Sequence, residues 1–384
     1  MACSVFQIPP RIINGQGSFS TLAEEVKRAG AARVLLVMDP FLIKSGFSEK
    51  TVAMLQDQDV AVKVFAEIEP EPLIELPAEA AKVAVDFKAD TVVAVGGGSS
   101  IDVAKVISVL ATNDTDVRNL VGVGLVKKPG LNTIFVPTTA GTGSEVTTVA
   151  VFSDNAFKSK VSIWSPYLLA RTVLLDADLT VGLPQAVTAS TGLDALIHAI
   201  EAYTCKCSNQ ASDMYAEAAI PLLCENLRLA WARGENIEAR EKMLTGAFYA
   251  GVAFSNSSTA GVHALSSPIG SEFHIPHGVA NSIMLLPVLR KSLVGNLKRY
   301  ARIAELMGED TTGLSDREAA ILCCQTLDTL LGDVRIPRHL AAYGVKQEDV
   351  PALAASAMKL ARLMGNNPYT ITYEDAIEMY TEAL

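Results

Sequence analysis

The sequence lacks any apolar run that approaches the roughly 20 residues a helix needs to span a bilayer. Its start, MACSVFQIPPRII, lacks a basic stretch followed by an apolar one, so we expect neither a membrane helix nor a signal peptide. The chain also lacks internal repeats, low-complexity segments and any linker long enough to be flexible. These absences favour a folded protein whose parts pack directly on one another.

Positive charge is in short supply. The chain carries 32 Lys and Arg against 42 Asp and Glu, which gives a net charge of -10. A nucleic acid or an anionic membrane is bound through a basic patch, so we expect neither as a partner.

Cysteine is also sparse, with six residues in the whole chain. Cys205 and Cys207 form a C-x-C pair and Cys323 and Cys324 are adjacent, and neither pair has the usual spacing of a zinc site. Six cysteines in so long a chain do not make a disulfide framework, so we predict reduced thiols and a cytoplasmic protein.

The 384 residues exceed the size at which a single hydrophobic core usually stops growing, so we predict two domains. In the first half, continuous apolar runs such as ARVLLVMD and ADTVVAVG alternate with helical stretches, which is typical of a parallel sheet covered on both faces. From about residue 183 the strand-like runs give way to long helical stretches such as QAVTASTGLDALIHAIEAYT. We therefore predict an α/β domain over residues 1–183 and an all-α domain over residues 184–384, with a ligand cleft between them.

One glycine loop joins a strand to a helix in TVVAVGGGSSIDVAK. Glycines there let the backbone approach a phosphate, and a helix N-terminus supplies free N–H groups and a positive dipole end. Ser99 or Ser100 could cap that helix, and we expect Asp102 in its first turn. An ordinary glycine turn into a capped helix explains the stretch equally well, because the G-x-G-x-x-G pattern of dinucleotide sites is absent.

Two further polar segments follow predicted strands. PTTAGTGSE, residues 137–145, is a second loop rich in glycine and hydroxyl groups. Asp39 ends another strand, where its carboxylate could accept hydrogen bonds from a ribose and repel a 2′-phosphate, favouring NAD over NADP. A simple Asp-Pro turn is the alternative for Asp39.

Three of the five histidines lie in GVHALSSPIGSEFHIPHG, residues 261–278. Upstream, Asp194 and His198 are four apart and share one face if the segment is helical. A first-row dication prefers imidazole and carboxylate ligands, so Asp194, His198, His263 and His277 could hold one and leave a coordination position open. Histidines buried in the core are the alternative.

The sequence resembles the iron-containing alcohol dehydrogenase family. The resemblance rests on IPPRIINGQGSFSTLAEEV, GGGSSIDVAK, PTTAGTGSE, LLDADLTVGLP, TGLDALIHAIEAYT and GVHALSSPIGSEFHIPHGVANSIMLLP, which follow the family's order from residue 8 to about residue 290. It implies an N-terminal nucleotide-binding domain and a C-terminal helical metal-binding domain. It also implies a homodimer or larger homo-oligomer.

The resemblance also implies roles for individual residues. It assigns the metal, Fe(II) or Zn(II), to Asp194, His198, His263 and His277. It implies bound NAD, with NADP less favoured. It places Asp39 at the adenosine ribose, Asp102 near the nicotinamide, and Gly97, Gly98 and Ser99 at the diphosphate. Other cofactor contacts fall on Thr138, Thr139, Thr142, Val151, Lys160 and Leu179.

The chain departs from the family at three positions. Many members carry a second histidine where this sequence has Ser267, and an Asn that often touches the cofactor is Glu71 here. Ala170 replaces a proline. We therefore predict a catalytic proton path through Ser267 and water, which His274 at most assists.

The sequence predicts a metal-dependent oxidoreductase that transfers a hydride between NAD(H) and a small alcohol or aldehyde. Within the superfamily, a polyol dehydrogenase or a dehydroquinate-synthase-like lyase is the alternative. A metallohydrolase that never uses a nucleotide is the rival from another class, and the two glycine loops and Asp39 disfavour it.

Overall fold

A computed structural model describes residues 5–155 and 159–384. Within them the chain divides into two compact units. The N-terminal unit is Gln7–Val181, and the helical unit is Gly182–Leu384 together with Val5 and Phe6. Among the helices of these residues, none combines the length and the apolar character needed to cross a membrane.

Two sheets form the core of the N-terminal unit. Its strands are β1 (Arg11–Asn14), β2 (Arg33–Met38), β3 (Ala61–Phe65), β4 (Thr91–Gly96), β5 (Gly122–Val123), β6 (Asn132–Pro137), β7 (Val149–Asp154), β8 (Ser159–Trp164) and β9 (Thr172–Leu175). Six of them make one parallel sheet in the order β1-β9-β6-β4-β2-β3. The other three make a small sheet in the order β5-β8-β7.

The central strands confirm the α/β prediction. In β4 every residue is buried, and in β2 all but the first are, as expected of strands with helices on both faces. The edge strand β3 instead leaves alternate residues exposed. The helices of this unit are α1 (Leu22–Arg28), α2 (Pro40–Lys44), α3 (Phe47–Gln56), α4 (Leu76–Phe87) and α5 (Gly98–Leu110).

Sequence patterns did not reveal every strand. The edge strand β1 and its neighbour β9 have four residues each, too few to show a pattern, yet they complete one side of the large sheet. The antiparallel pairing of β7 with β8 was also not predicted.

The start of α5 differs from the prediction. The helix begins at Gly98, so Ser99 and Ser100 lie inside its first turn, and no side chain of the described residues caps it. Asp102, the fifth residue, falls beyond that turn. The prediction was wrong on both points because it began the helix too late. The first N–H groups of α5 are consequently left for another acceptor.

The helical unit consists of α6 (Gln185–Thr204), α7 (Gln210–Ala232), α8 (Ile237–Ser255), α9 (Gly261–Phe273), α10 (His277–Ser292), α11 (Leu297–Leu306), α12 (Asp316–Asp333), α13 (Val350–Met358), α14 (Ala361–Asn366) and α15 (Tyr373–Ala383). Its central element is α6, which packs against α7, α8 and α10 and is buried nearly all round. The helix that the sequence predicts at this place is confirmed with the same ends.

A sharp break separates α9 from α10. The sequence predicts a change of helix between His263 and His277, and the structure puts it after Pro268, which α9 accommodates. The helix ends where His274 adopts a left-handed conformation with φ 54°, and Pro276 then directs the chain into α10. His277 is therefore the first residue of the new helix.

Glycine at position 278 allows α10 to approach α6. A Cβ atom added there would overlap the carbonyl oxygen of Ser190 and lie 2.8 Å from its carbon. Because both groups belong to backbone, neither can rotate away. We expect Gly278→Ala to force the two helices apart and to cost roughly 1–3 kcal/mol of stability, which calorimetry would record as a lower unfolding midpoint.

Gly365→Ala is the matched control, since an added Cβ there meets nothing within 4 Å. As a helical substitution it should leave the midpoint unchanged or raise stability by up to about 1 kcal/mol. Equal midpoints for the two variants would contradict the proposed close approach.

Candidate functional site

A buried carboxylate and two imidazoles meet where α6, α9 and α10 come together. Asp194 Oδ1 lies 3.7 Å from His263 Nε2 and 3.8 Å from His277 Nε2. Each of the three residues offers one ligand atom, and these atoms lie within 4.8 Å of one another. The helix junction at Pro276 turns His277 back toward the α9 histidine.

His198 stands beside this group. Its Nδ1 is 3.9 Å from the second oxygen of Asp194, one turn earlier on α6. Its ring stacks on His263 with centroids 4.6 Å apart and on Phe254 with centroids 4.3 Å apart. The structure therefore brings all four predicted ligands together, with Asp194, His263 and His277 as the tighter cluster.

Asn281 lies at the centre of the cluster. Its Nδ2 donates to Asp194 Oδ1 at 2.7 Å and lies 3.2 Å from His263 Nε2 and 3.1 Å from His277 Nε2. Its Oδ1 accepts a hydrogen bond from Ser266. An amide nitrogen has two hydrogens and cannot serve three acceptors at once. One carboxylate oxygen and two ring nitrogens thus converge on a single point, which the amide nitrogen occupies.

A second buried carboxylate, on α6, contacts His263 and the start of α9. Glu201, two turns after Asp194 on α6, is 3% exposed, and its Oε2 lies 2.6 Å from His263 Nδ1. The same carboxylate accepts the backbone N–H groups of Ala260 and Val262.

Charge interactions within the cluster shift the pKa values of Asp194 and His263. Burial alone would raise the pKa of Asp194, but His198, His277, His263 and Asn281 more than offset it, so the pKa lies below its usual value. Burial would lower the pKa of His263, and Glu201 and Asp194 instead raise it. Asp194 is therefore ionised at neutral pH.

The donor set fits a first-row divalent cation. Carboxylate oxygen and imidazole nitrogen are the ligands that Fe(II) and Zn(II) share. Asp194 and His263 are almost fully buried, whereas the side chain of His277 is 44% exposed. Such a site could hold a cation firmly on its buried side and remain accessible beside His277.

A second set of predicted residues gathers in the N-terminal unit. Asp39 follows β2, the glycine loop follows β4, and Leu179 follows β9. The threonines at 138, 139 and 142 follow β6. Because these strands are parallel neighbours, their carboxyl ends lie at one edge of the sheet, the usual place for ligands in such folds.

The glycine loop packs on the loop of residues 137–145, here called the threonine loop. A Cβ atom on Gly98 would lie 2.8 Å from the side chain of Thr142, and one on Gly97 would lie 3.7 Å from Thr139. At Asp39, Oδ1 accepts the N–H of Phe41 and caps α2. Asp39 therefore caps the turn after β2, which is one of the two roles that the sequence left open. Its second carboxylate oxygen takes no part in that cap.

Asp102 belongs to a buried network. Its Oδ1 accepts from Ser144 and lies 3.3 Å from Lys105 Nζ, and its Oδ2 accepts the N–H of Val151 at 2.9 Å. Lys105 is fully buried, and burial lowers the pKa of its ammonium. The network ties α5 to Ser144 and to β7, and it holds both oxygens of the Asp102 carboxylate.

The remaining predicted cofactor residues have other surroundings. Lys160 on β8 forms an ion pair with Glu71, with Nζ 2.9 Å from Oε2. Glu71 has a left-handed backbone with φ 55°. Leu179 packs against the apolar core of the large sheet. Lys160 thus meets the carboxylate of one of the residues at which the sequence departs from the family pattern.

The two predicted proton-path residues are placed differently. Ser267 is one turn after His263 on α9 and is partly buried. His274 is exposed at the left-handed end of that helix.

Sequence reasoning missed several residues that the geometry brings to these sites. Glu201 is seven residues after Asp194, and Asn281 is four after His277, so helical spacing places each on the face of a predicted ligand. Lys105 is the last residue of the GGGSSIDVAK motif and three after Asp102. Extending the helical period from each predicted residue would have found all three.

Two protein-family models match this chain. Residues 9–177 match Iron-containing alcohol dehydrogenase. Residues 188–384 match Fe-containing alcohol dehydrogenase family, C-terminal.

Curated relatives align along nearly their whole length. The chain is 39% identical to long-chain-alcohol dehydrogenase 1 of Geobacillus thermodenitrificans (strain NG80-2), covering 100% of this chain and 97% of that protein. It is 36% identical to the NAD-dependent methanol dehydrogenase of Bacillus methanolicus, covering 99% of each.

Among solved structures, a 1,3-propanediol oxidoreductase superimposes with a TM-score of 0.97 at 36% identity, with 100% of both chains covered. The identity, the coverage and the fold agree, and the chain belongs to the iron-containing alcohol dehydrogenase family.

Proposed function

We propose that this protein transfers a hydride between NAD(H) and a small alcohol or aldehyde, with a divalent metal held by Asp194, His198, His263 and His277. The observation that carries the proposal is the convergence of one buried carboxylate and three imidazoles in the helical unit. Membership of the family supports an oxidoreductase over a metallohydrolase. A panel of alcohols and aldehydes, assayed anaerobically with each cofactor on protein of measured metal content, tests it.

The helical unit supplies the part of the site that handles the substrate oxygen. When bound, the metal supplies positive charge that favours an ionised alcohol or a polarised carbonyl. Asp194 contributes one negative charge to the ligand set, which leaves net positive charge against a dication. Its bond to Asn281 holds it in place, and the three histidines together with that bond offset the effect of burial and keep it ionised.

The N-terminal unit supplies the nucleotide site. When bound, NAD supplies the nicotinamide carbon that accepts or gives the hydride. Gly97 and Gly98 allow a diphosphate to approach the uncapped start of α5, where Ser99 adds a hydroxyl. Thr139 and Thr142 lie against that loop, and the N–H of Thr138 donates to the carbonyl of Gly96. The N–H of Val151 donates to Asp102.

The relatives named above carry the names of enzymes for long-chain alcohol, methanol and 1,3-propanediol, so they do not single out one alcohol as the substrate. We infer a small primary alcohol or its aldehyde. Fe(II) is the proposed metal and Zn(II) the alternative, because the donor set accepts both.

The protein is further proposed to act as a cytoplasmic homodimer or larger homo-oligomer. Reduced thiols suit that compartment, and the cysteines of the described residues are free. The oligomer rests on the family resemblance, and light scattering after size-exclusion chromatography measures it directly.

Removing a ligand should remove the metal. We expect one divalent metal per chain in the wild type, and much less in Asp194→Ala or His263→Ala, because each substitution deletes a buried donor atom. Metal analysis of the purified, folded variants measures this. Stoichiometric metal in both variants would contradict the ligand set.

Asp39 should set the cofactor preference. The carboxylate would face a 2′-phosphate as a like charge, so we expect the wild type to bind NADH more tightly than NADPH. Asp39→Asn keeps an acceptor for the cap on Phe41 and removes the charge, whereas Asp39→Gly also removes the cap side chain. Both variants should gain NADPH affinity in fluorescence titrations.

Two outcomes would contradict that role of Asp39. One is a wild type that binds NADPH as well as NADH. The other is an unchanged preference in both variants despite native folding.

The proton path should depend on Ser267 more than on His274. His274→Ala should cost less than roughly tenfold in kcat, at the low side of general acid–base effects, because this residue is exposed at a helix end. Ser267→His should be tolerated and add an ionisation near neutral pH to the rate profile. A loss of about a hundredfold or more in His274→Ala, with metal content intact, would make His274 the relay.

A further inference from the structure

Glu201 is a buried carboxylate outside the predicted ligand set. It lies on α6 and is 3% exposed. Its Oε2 is 2.6 Å from His263 Nδ1 and accepts the N–H of Ala260 at 3.0 Å, while its Oε1 accepts the N–H of Val262 at 2.6 Å. One carboxylate therefore contacts both the start of α9 and the imidazole that α9 carries.

These contacts dictate which ring nitrogen of His263 bears hydrogen. An ionised carboxylate only accepts hydrogen bonds, so Nδ1 must be the donor toward Glu201. In the neutral ring, Nε2 then keeps its lone pair. That atom faces the cluster, 3.7 Å from Asp194 Oδ1 and 3.2 Å from Asn281 Nδ2.

We propose that Glu201 is a positioning residue for the metal site, fixing the tautomer and the ring orientation of His263 so that Nε2 can bind the cation. The inference rests on the proposed metal site and adds to it a residue that touches no metal. Carboxylates that accept a hydrogen bond from a metal-binding histidine typically strengthen metal affinity by roughly 10–100-fold.

A purely structural role is the alternative, because Glu201 also caps α9. The chain offers a control for that role. Asn367 Oδ1 accepts the N–H of Gly261 at 3.3 Å, at the same helix start, and Asn367 Nδ2 donates to Ser292 and Tyr369. Asn367 thus supports the start of α9 without forming a bond to His263.

The test compares Glu201→Gln with Asn367→Ala. In Glu201→Gln the amide nitrogen can donate to Nδ1, which favours hydrogen on Nε2 and disables that atom as a ligand. Affinity for Zn(II) is measured on metal-stripped protein by competition with a chromophoric chelator. We expect a loss of roughly 10–100-fold in Glu201→Gln, and a loss below about tenfold in Asn367→Ala.

Nitrogen NMR of metal-free protein with labelled histidine gives a second measurement, the ring nitrogen of His263 that carries the hydrogen. Loss of a helix cap alone would not change it. We expect His263 in the wild type to carry its hydrogen on Nδ1 and in Glu201→Gln to shift it to Nε2, with no change in Asn367→Ala. If Glu201→Gln fails to fold, the wild-type spectrum and Glu201→Asp replace it in the test. Glu201→Asp retains the charge, and we expect it to retain most of the Zn(II) affinity.

Three results would overturn the inference: a neutral His263 ring in the wild type with its hydrogen on Nε2 instead of Nδ1, Zn(II) affinity in Glu201→Gln within tenfold of wild type, or an equal loss in Asn367→Ala. Asp194→Ala separates this failure from failure of the proposed function. If Asp194→Ala loses the metal while Glu201→Gln keeps it, only the role of Glu201 is wrong. If Asp194→Ala also keeps it, the metal site itself is wrong.

Discussion

The burial of the Asp194 carboxylate is the constraint on which the helical unit depends. A buried charge is costly unless it is paired and hydrogen-bonded. Here Asn281 donates to it, and His263 and His277 stand within 4 Å. These partners come from α9 and α10, so the two helices must converge on α6, and Gly278 permits the necessary closeness. The stabilisation of one charge thus fixes the geometry of the candidate metal site.

The N-terminal unit shows the opposite feature, a helix start without a side-chain cap within the described part of the chain. The first turn of α5 has no side-chain cap among the described residues, and the glycines before it carry no side chains that would cover its N–H groups. The buried Lys105 holds Asp102, the threonine loop and β7 together behind this turn. An uncapped helix start beside glycines would suit the diphosphate of the proposed cofactor.

Much of this arrangement can be predicted from the sequence, and the limits have physical causes. Continuous apolar runs revealed β2 and β4 because central parallel strands are buried on both faces, while β1 and β9 were too short to show a pattern. Asp194 and His198 could be paired by helical spacing alone. The convergence of His277 with them depends on the turn at Pro276 and on long-range packing, which spacing does not encode. Ligand chemistry offered His277 as one possibility, and the family resemblance assigned it. The same helical period, carried further, reaches Glu201.

The most direct test of the account follows the hydride itself. Metal-loaded and metal-stripped protein are incubated with NAD and primary alcohols in which both hydrogens on carbon 1 are deuterium, and the reduced cofactor is analysed by mass spectrometry. The account predicts deuterium in the nicotinamide ring of NADH with the metal-loaded protein, and loss of that product when the metal is removed. NADH formed without deuterium, or formed equally fast by the metal-stripped protein, would contradict it.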